Sequence, residues 1–118
     1  MRQPPAIEAL GRGGFRVAGV WRPGSLLVLQ DEPRAWRPTS LADLRASDFD
    51  EVIAAGSAVV EFVLLGAGPV QALPPRTVLE ALRAAGLGLE FMATESAART
   101  HNFLSAQGRL FATALIAL

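Results

Sequence analysis

The sequence predicts a single compact α/β domain, mixed and bordering on α+β. An N-terminal β-hairpin region joins a βαβαβ core whose helices pack on a mixed sheet. Three observations carry that expectation. The chain has 118 residues, of which 51% are hydrophobic and 19% charged, which is one domain's length with enough apolar material for a core that needs no staples. Its first third holds short apolar runs punctuated by Gly and Pro. From residue 59 onward, apolar runs of strand length alternate with amphipathic stretches of helical period, the pattern of parallel crossovers.

The elements follow in order. Residues 15–21 and 25–29 flank Arg22-Pro23-Gly24-Ser25. Pro presets the first central φ of a type II turn and Gly accepts the positive second one, so a hairpin is expected there. Gly11-Arg12-Gly13-Gly14 is a flexible approach, and Ala35-Trp36-Arg37 is a short strand stopped by Pro38. Ser47 reads as an N-cap, with Asp48, Asp50 and Glu51 as the acidic first turn and Gly56 as the terminator. Residues 59–65 form a near-continuous apolar run broken by Glu61, as a buried parallel strand is.

After Gly66-Ala67-Gly68-Pro69, Pro74-Pro75 opens a second helix. Val78, Leu79, Leu82 and Ala85 form its apolar face, Arg76, Glu80 and Arg83 lie opposite, and Gly86 closes it. Residues 88–92 are the next strand. A third helix is expected from about Glu95 to Ala106 behind an N-cap at Thr94; it ends at Gly108 and leads into a strand over 109–117.

Composition excludes several chemistries. There is no Cys, hence no disulfide, thiolate nucleophile or Cys-ligated metal. All 11 basic residues are Arg, which removes a Schiff-base lysine and a phosphate-loop lysine. The net charge of 0 gives no field to steer nucleic acid. Residues 1–5 show no apolar run after their charge, so no secretory signal is expected. The longest apolar stretches fall short of the ~20 residues that span a bilayer. A cytoplasmic protein that does not span the membrane is the expectation.

Gly66-Ala67-Gly68 follows a strand, where a dinucleotide fingerprint would begin. The third glycine position is Gln71, and the helix starts several residues too late. A strand-to-helix turn is the simpler account, although glycines at the carboxyl end of a parallel strand also line the usual ligand crevice. Residues 94–109 are the richest stretch. Ala97, Thr100, Phe103 and Leu104 cluster on one side of the helical wheel, expected to face the sheet, while Glu95, Arg99 and Asn102 share another. The plain account is a solvated face with a Glu95–Arg99 i,i+4 pair. The functional account gathers Thr94, the free N–H groups of the first turn and Arg99 around an anion.

His101 is the single histidine; with no carboxylate or sulfur companions at ligand spacing it makes no zinc site, and it reads as a packed, hydrogen-bonded side chain. No serine stands in a Gly-x-Ser-x-Gly elbow. Trp21 and Trp36 read as sheet-face packing, although an exposed Trp would mark a contact surface. No cofactor or metal is expected.

The run Met92-Ala93-Thr94-Glu95-Ser96-Ala97-Ala98-Arg99-Thr100-His101-Asn102-Phe103-Leu104, followed by Gln107-Gly108-Arg109, resembles a family of small single-domain proteins that includes the mitochondrial respiratory complex I assembly factor three. Members carry a Thr, a small-residue pair, Arg-Thr, an aromatic, Asn and Leu, then Glu-Gly-Arg before a last apolar strand. A strand ending in Gly-Thr-Gly, matched by Gly66-Ala67-Gly68, and a Pro-rich start to the next helix extend the resemblance over nearly the whole chain. Ala93, His101 and Gln107 depart from the usual Asp, Tyr and Glu. The resemblance implies one compact unit of β-structure and a βαβαβ core, and a role in assembly through protein contacts without established catalysis.

The functional expectation is therefore a non-enzymatic binding or assembly-accessory protein of the bacterial cytoplasm, with an unidentified protein partner. Gly66, Gly68, Thr94, Arg99, Asn102 and Arg109 are the candidate residues, forming one pocket or contact patch. The alternative is a small-molecule carrier or enzyme that takes a small anionic ligand in a crevice between the Gly66–Gly68 loop and the start of the third helix. The apolar last strand permits an edge-paired or face-paired homodimer, or else is the buried centre of the sheet.

Overall fold

A computed structural model describes residues 3–118, so Met1 and Arg2 of the opening segment lie outside it. In chain order the elements are β1 (Ile7–Gly11), β2 (Gly14–Val17), β3 (Val20–Pro23), β4 (Ser25–Leu29), β5 (Glu32–Trp36), two short 3-10 turns (Leu41–Asp43 and Ala46–Phe49), α1 (Asp50–Ala55), β6 (Phe62–Gly66), α2 (Arg76–Ala84), β7 (Gly88–Met92), α3 (Thr94–Ser105) and β8 (Phe111–Leu115). β1, β2 and β3 form a small antiparallel sheet. The other five make a mixed sheet of order β5-β4-β8-β6-β7, in which β6, β7 and β8 are parallel and β4 runs antiparallel to β5 and β8. The expected α/β architecture, with its βαβαβ core, is what the chain adopts.

Strand periodicity divides the interior in two, because successive side chains leave a strand on opposite faces. Leu27 and Leu29, Val63 and Leu65, and Ala112, Ala114 and Ile116 point to one face, where they meet Val52 of α1 and Val78 and Leu82 of α2. Leu26 and Val28, Phe62 and Leu64, and Phe111 and Leu115 point to the other, where α3 supplies Ala97, Ala98 and Leu104 and the small sheet supplies Ile7, Phe15 and Val17. The large sheet is thus covered on both sides. That double burial explains why β4, β6 and β8 read as continuous apolar runs.

Several boundaries differ from expectation. Residues 15–21 are two strands, β2 and β3, joined at Ala18-Gly19 with φ of 50° and 77°. β4 and β5 turn at Gln30-Asp31 with φ of 50° and 68°. Both turns are left-handed at both central residues, which suits the twist of a two-residue hairpin. Pro23-Gly24 is not a hairpin turn. β3 pairs with β2, and β4 with β5 and β8, so this dipeptide carries the chain from one sheet to the other. Ser47 lies inside a 3-10 turn, and α1 is capped at Phe49. Thr94 is the first residue of α3, with Ala93 as its N-cap. β8 sits at the centre of its sheet, so it offers no edge to a second copy.

Candidate functional site

The carboxyl ends of β6 and β8 and the start of α3 are stitched together by Thr94. The Gly68 N–H donates to Thr94 Oγ1 (2.9 Å), and the Thr94 hydroxyl donates to the Ile116 carbonyl (2.8 Å). The Thr94 N–H donates in turn to the Gly68 carbonyl (2.8 Å) and the Ile116 N–H to the Gly66 carbonyl (3.0 Å). One buried hydroxyl therefore serves as acceptor and donor at once, joining three segments. The approach is close enough to demand glycine: a Cβ on Gly66 would lie 2.9 Å from Thr94 Oγ1 and 2.8 Å from Leu115 Cδ2. Gly68 has φ of 106°, which side-chain-bearing residues resist. Gly66, Gly68 and Thr94 are thus brought together, and the Thr94 side chain occupies the space between loop and helix where a crevice was expected.

Arg99, Asn102 and Arg109 do not join them. Asn102 was expected on the Glu95–Arg99 face, but its amide turns to β1, accepting from the Ile7 N–H (2.8 Å) and donating to the Ile7 carbonyl (2.9 Å). It pairs with that residue's backbone as a neighbouring strand would. Arg99 is exposed and bonded to Glu95 (2.9 Å) one turn earlier. Arg109 precedes β8 at the opposite end of the sheet, its guanidinium 5.3 Å from the ring centre of Phe62. Phe62 opens β6, whereas Gly66 closes it, so roughly 13 Å of strand separates Arg109 from the Thr94 junction.

His101 is fully buried. A carbonyl can only accept, so Nε2–H donates to the Pro5 carbonyl (2.9 Å), and Nδ1 must accept from the Thr113 hydroxyl (2.7 Å). Burial holds its pKa below the ordinary histidine value, the Pro5 carbonyl opposing it. The imidazole is a neutral strut between α3, β8 and the N-terminal segment. Among the described residues, no cluster of His, Asp and Glu could hold a metal ion. Across the large sheet, the most strongly shifted carboxylates are also structural. Asp48 is held below the usual range by Arg37, which binds it through two nitrogens at 2.7 Å, and Asp43 by the N–H groups of Ser40 and Thr39.

With Thr94, Ala97, Ala98, His101, Leu104 and Ser105 buried, α3 presents Glu95, Arg99 and Phe103 outward. Phe103, expected against the sheet, is 65% exposed. Val70 and Leu73, on the loop that leaves Gly68, are also 65% exposed. Trp21 is 46% exposed while Trp36 is buried. The buried stripe of α3 runs through Thr94, Ala97, Ala98, His101, Leu104 and Ser105, and Phe103, about 100° round the helix from Leu104, falls outside it.

The family described as a protein of unknown function, DUF498/DUF598, matches residues 7–116. The chain belongs to this family. An uncharacterised protein of Rhodobacter capsulatus is 34% identical over 110 residues, covering 93% of this chain and 82% of that protein. The family fold recurs in the crystal structure of an outer membrane protein from Bartonella henselae, with a TM-score of 0.87 and 29% identity over 98% of this chain and 96% of that one. It recurs also in a Bordetella pertussis protein described as an Mth938-like domain, with a TM-score of 0.78 and 27% identity over 95% of this chain and 85% of that one. No helix among the described residues is long and apolar enough to cross a membrane.

Proposed function

We propose that this protein is a non-enzymatic binding or assembly-accessory protein whose contact surface is the outer face of α3 around Arg99 and Phe103. The carrying observation is the 65% exposure of Phe103 one turn beyond Arg99. A large ring left in water beside an arginine is the kind of anchor that protein interfaces bury. The loop bonded to the start of the same helix through Gly68 and Thr94 leaves two more apolar side chains, Val70 and Leu73, in water. In this scheme Gly66, Gly68, Thr94 and Asn102 hold helix and loop in place, Arg99 touches the partner, and Arg109 lies outside the contact.

The resemblance to the complex I assembly family supports a protein as the occupant, and the neutral net charge disfavours nucleic acid. A second copy of the chain is one partner that the experiment can return. Affinity capture from host-cell extract compares the wild type with an R99A/F103S variant of unchanged circular dichroism. Partners recovered by the wild type should fall at least tenfold with the variant, and equal recovery would remove this surface from the interaction. A cytoplasmic location belongs to the same proposal, and recovery of the protein in the membrane fraction of lysed cells would refute it.

A further inference from the structure

The edge strand β3 and the outer pair β4–β5 wall a cleft of about 380 Å³, within the size range of small-molecule sites. Val20 and Arg22 line it from β3, Leu26 and Ala35 from the large sheet, and Trp21 and Arg34 border it. Val20 is 55% exposed and Trp21 46%, so apolar surface here stands in water. In register, Arg22 pairs with Phe15 and Val20 with Val17. Both therefore project from the face of the small sheet that carries the buried Phe15 and Val17. An arginine on a core-facing position must find an acceptor, and this one has none: Arg22 Nε is buried without a hydrogen-bond partner. Among the described residues the Arg22 side chain makes no ion pair. The lining contains two arginines and no acid, and Glu51, which neutralises Arg34, belongs to α1 beyond the other face of the sheet.

We propose that this cleft binds an amphipathic monocarboxylate of the fatty-acid class. A buried guanidinium N–H lacking an acceptor is costly, and a rotation of the Arg22 side chain that turns its Nε–Nη edge into the cleft lets a carboxylate satisfy it with two parallel bonds. The hydrocarbon tail lies along Val20 and Ala35, above the buried Leu26, and removes the exposed apolar surface of the first two from water. The site is separate from the α3 surface and does not depend on it.

Titration of the intrinsic fluorescence with octanoate, decanoate and dodecanoate, all below their micellar concentrations, tests this directly, because Trp21 borders the cleft and Trp36 is buried elsewhere. Saturable binding should tighten by up to about fourfold per added methylene. Acetate should not bind, and decanol should bind at least tenfold more weakly than decanoate. R22M should bring decanoate down to the affinity of decanol while melting no lower than wild type, since it removes a donor that the unliganded fold leaves unpaired. A35E, at an exposed position, should cut decanoate binding at least tenfold. Absence of saturable binding by any carboxylate, equal binding of decanol and decanoate, or unchanged decanoate affinity in both R22M and A35E would each overturn the proposal.

Discussion

Replacing Thr94 with Val keeps the shape of the side chain and removes only its hydroxyl. That hydroxyl accepts from Gly68 and donates to Ile116, and both of those residues are buried. The variant therefore loses two hydrogen bonds and leaves an N–H and a carbonyl without this partner, away from water. A buried group left unsatisfied costs about 1–3 kcal/mol. Some relaxation is available at the carbonyl, so T94V should lose about 2–4 kcal/mol. For 118 residues the unfolding entropy near the melting temperature is roughly 250 cal/mol/K, which converts this loss to a fall of roughly 8–16 °C in Tm. T94S retains the hydroxyl and should lose only about 1 kcal/mol, mostly from the deleted methyl. Urea denaturation with a common m-value is the assay. If T94V stays within about 0.5 kcal/mol of wild type, or T94S is as unstable as T94V, the hydroxyl does not join the three segments as described.

Three further expectations follow from neighbouring residues. Ala93 caps α3 with extended geometry (φ −57°, ψ 147°) and no side-chain bond, so A93D, which restores the acid usual in the resembling family, should stabilise by about 1 kcal/mol in urea melts; no gain would mean the first-turn N–H groups are already served. Because burial lowers the folded pKa of His101, the unfolded chain binds the proton more readily, so its contribution is complete above the unfolded value of about 6.5 and is lost as pH falls below it. The imidazole NMR signals should titrate below that value and stability should drop as pH falls below about 6.5, whereas an ordinary titration would contradict the buried strut. G66A should destabilise by at least about 1–3 kcal/mol because its Cβ would press on Thr94 and Leu115, and a wild-type melting curve would show that β6 can shift without cost.

The βαβαβ half was legible because its signals are local. Period changes, Pro74-Pro75 and Gly86 set α2, and a doubly covered sheet makes its strands continuous apolar runs. In the N-terminal half the local signal is weak: Ala18-Gly19 and Gln30-Asp31 lack the Asn-Gly or Asp-Gly pairs that announce tight hairpins, while Pro23-Gly24 announces a turn but serves as a passage between sheets. Within α3, the loss lies in long-range partners. Asn102 bonds to Ile7, 95 positions away, and Thr94 spends its hydroxyl on Gly68 and Ile116 instead of capping its own helix; nothing in the helix's own sequence specifies either. Arg22, expected to open the Pro23-Gly24 turn, instead lies within β3, where pairing with Phe15 turns it inward. Alternation with Val20 across the exposed Trp21 was the signal available for it.

The division of α3 into inward residues that hold the fold and an outward Arg99–Phe103 face left for contact is tested most directly by the thermal midpoints of T94V, N102A and F103S measured side by side. T94V and N102A should melt well below wild type and F103S within about 2 °C of it, because an exposed ring contributes little to the folded state. If F103S falls as far as T94V, Phe103 is part of the core and the outer face of α3 is not a surface held free for a partner.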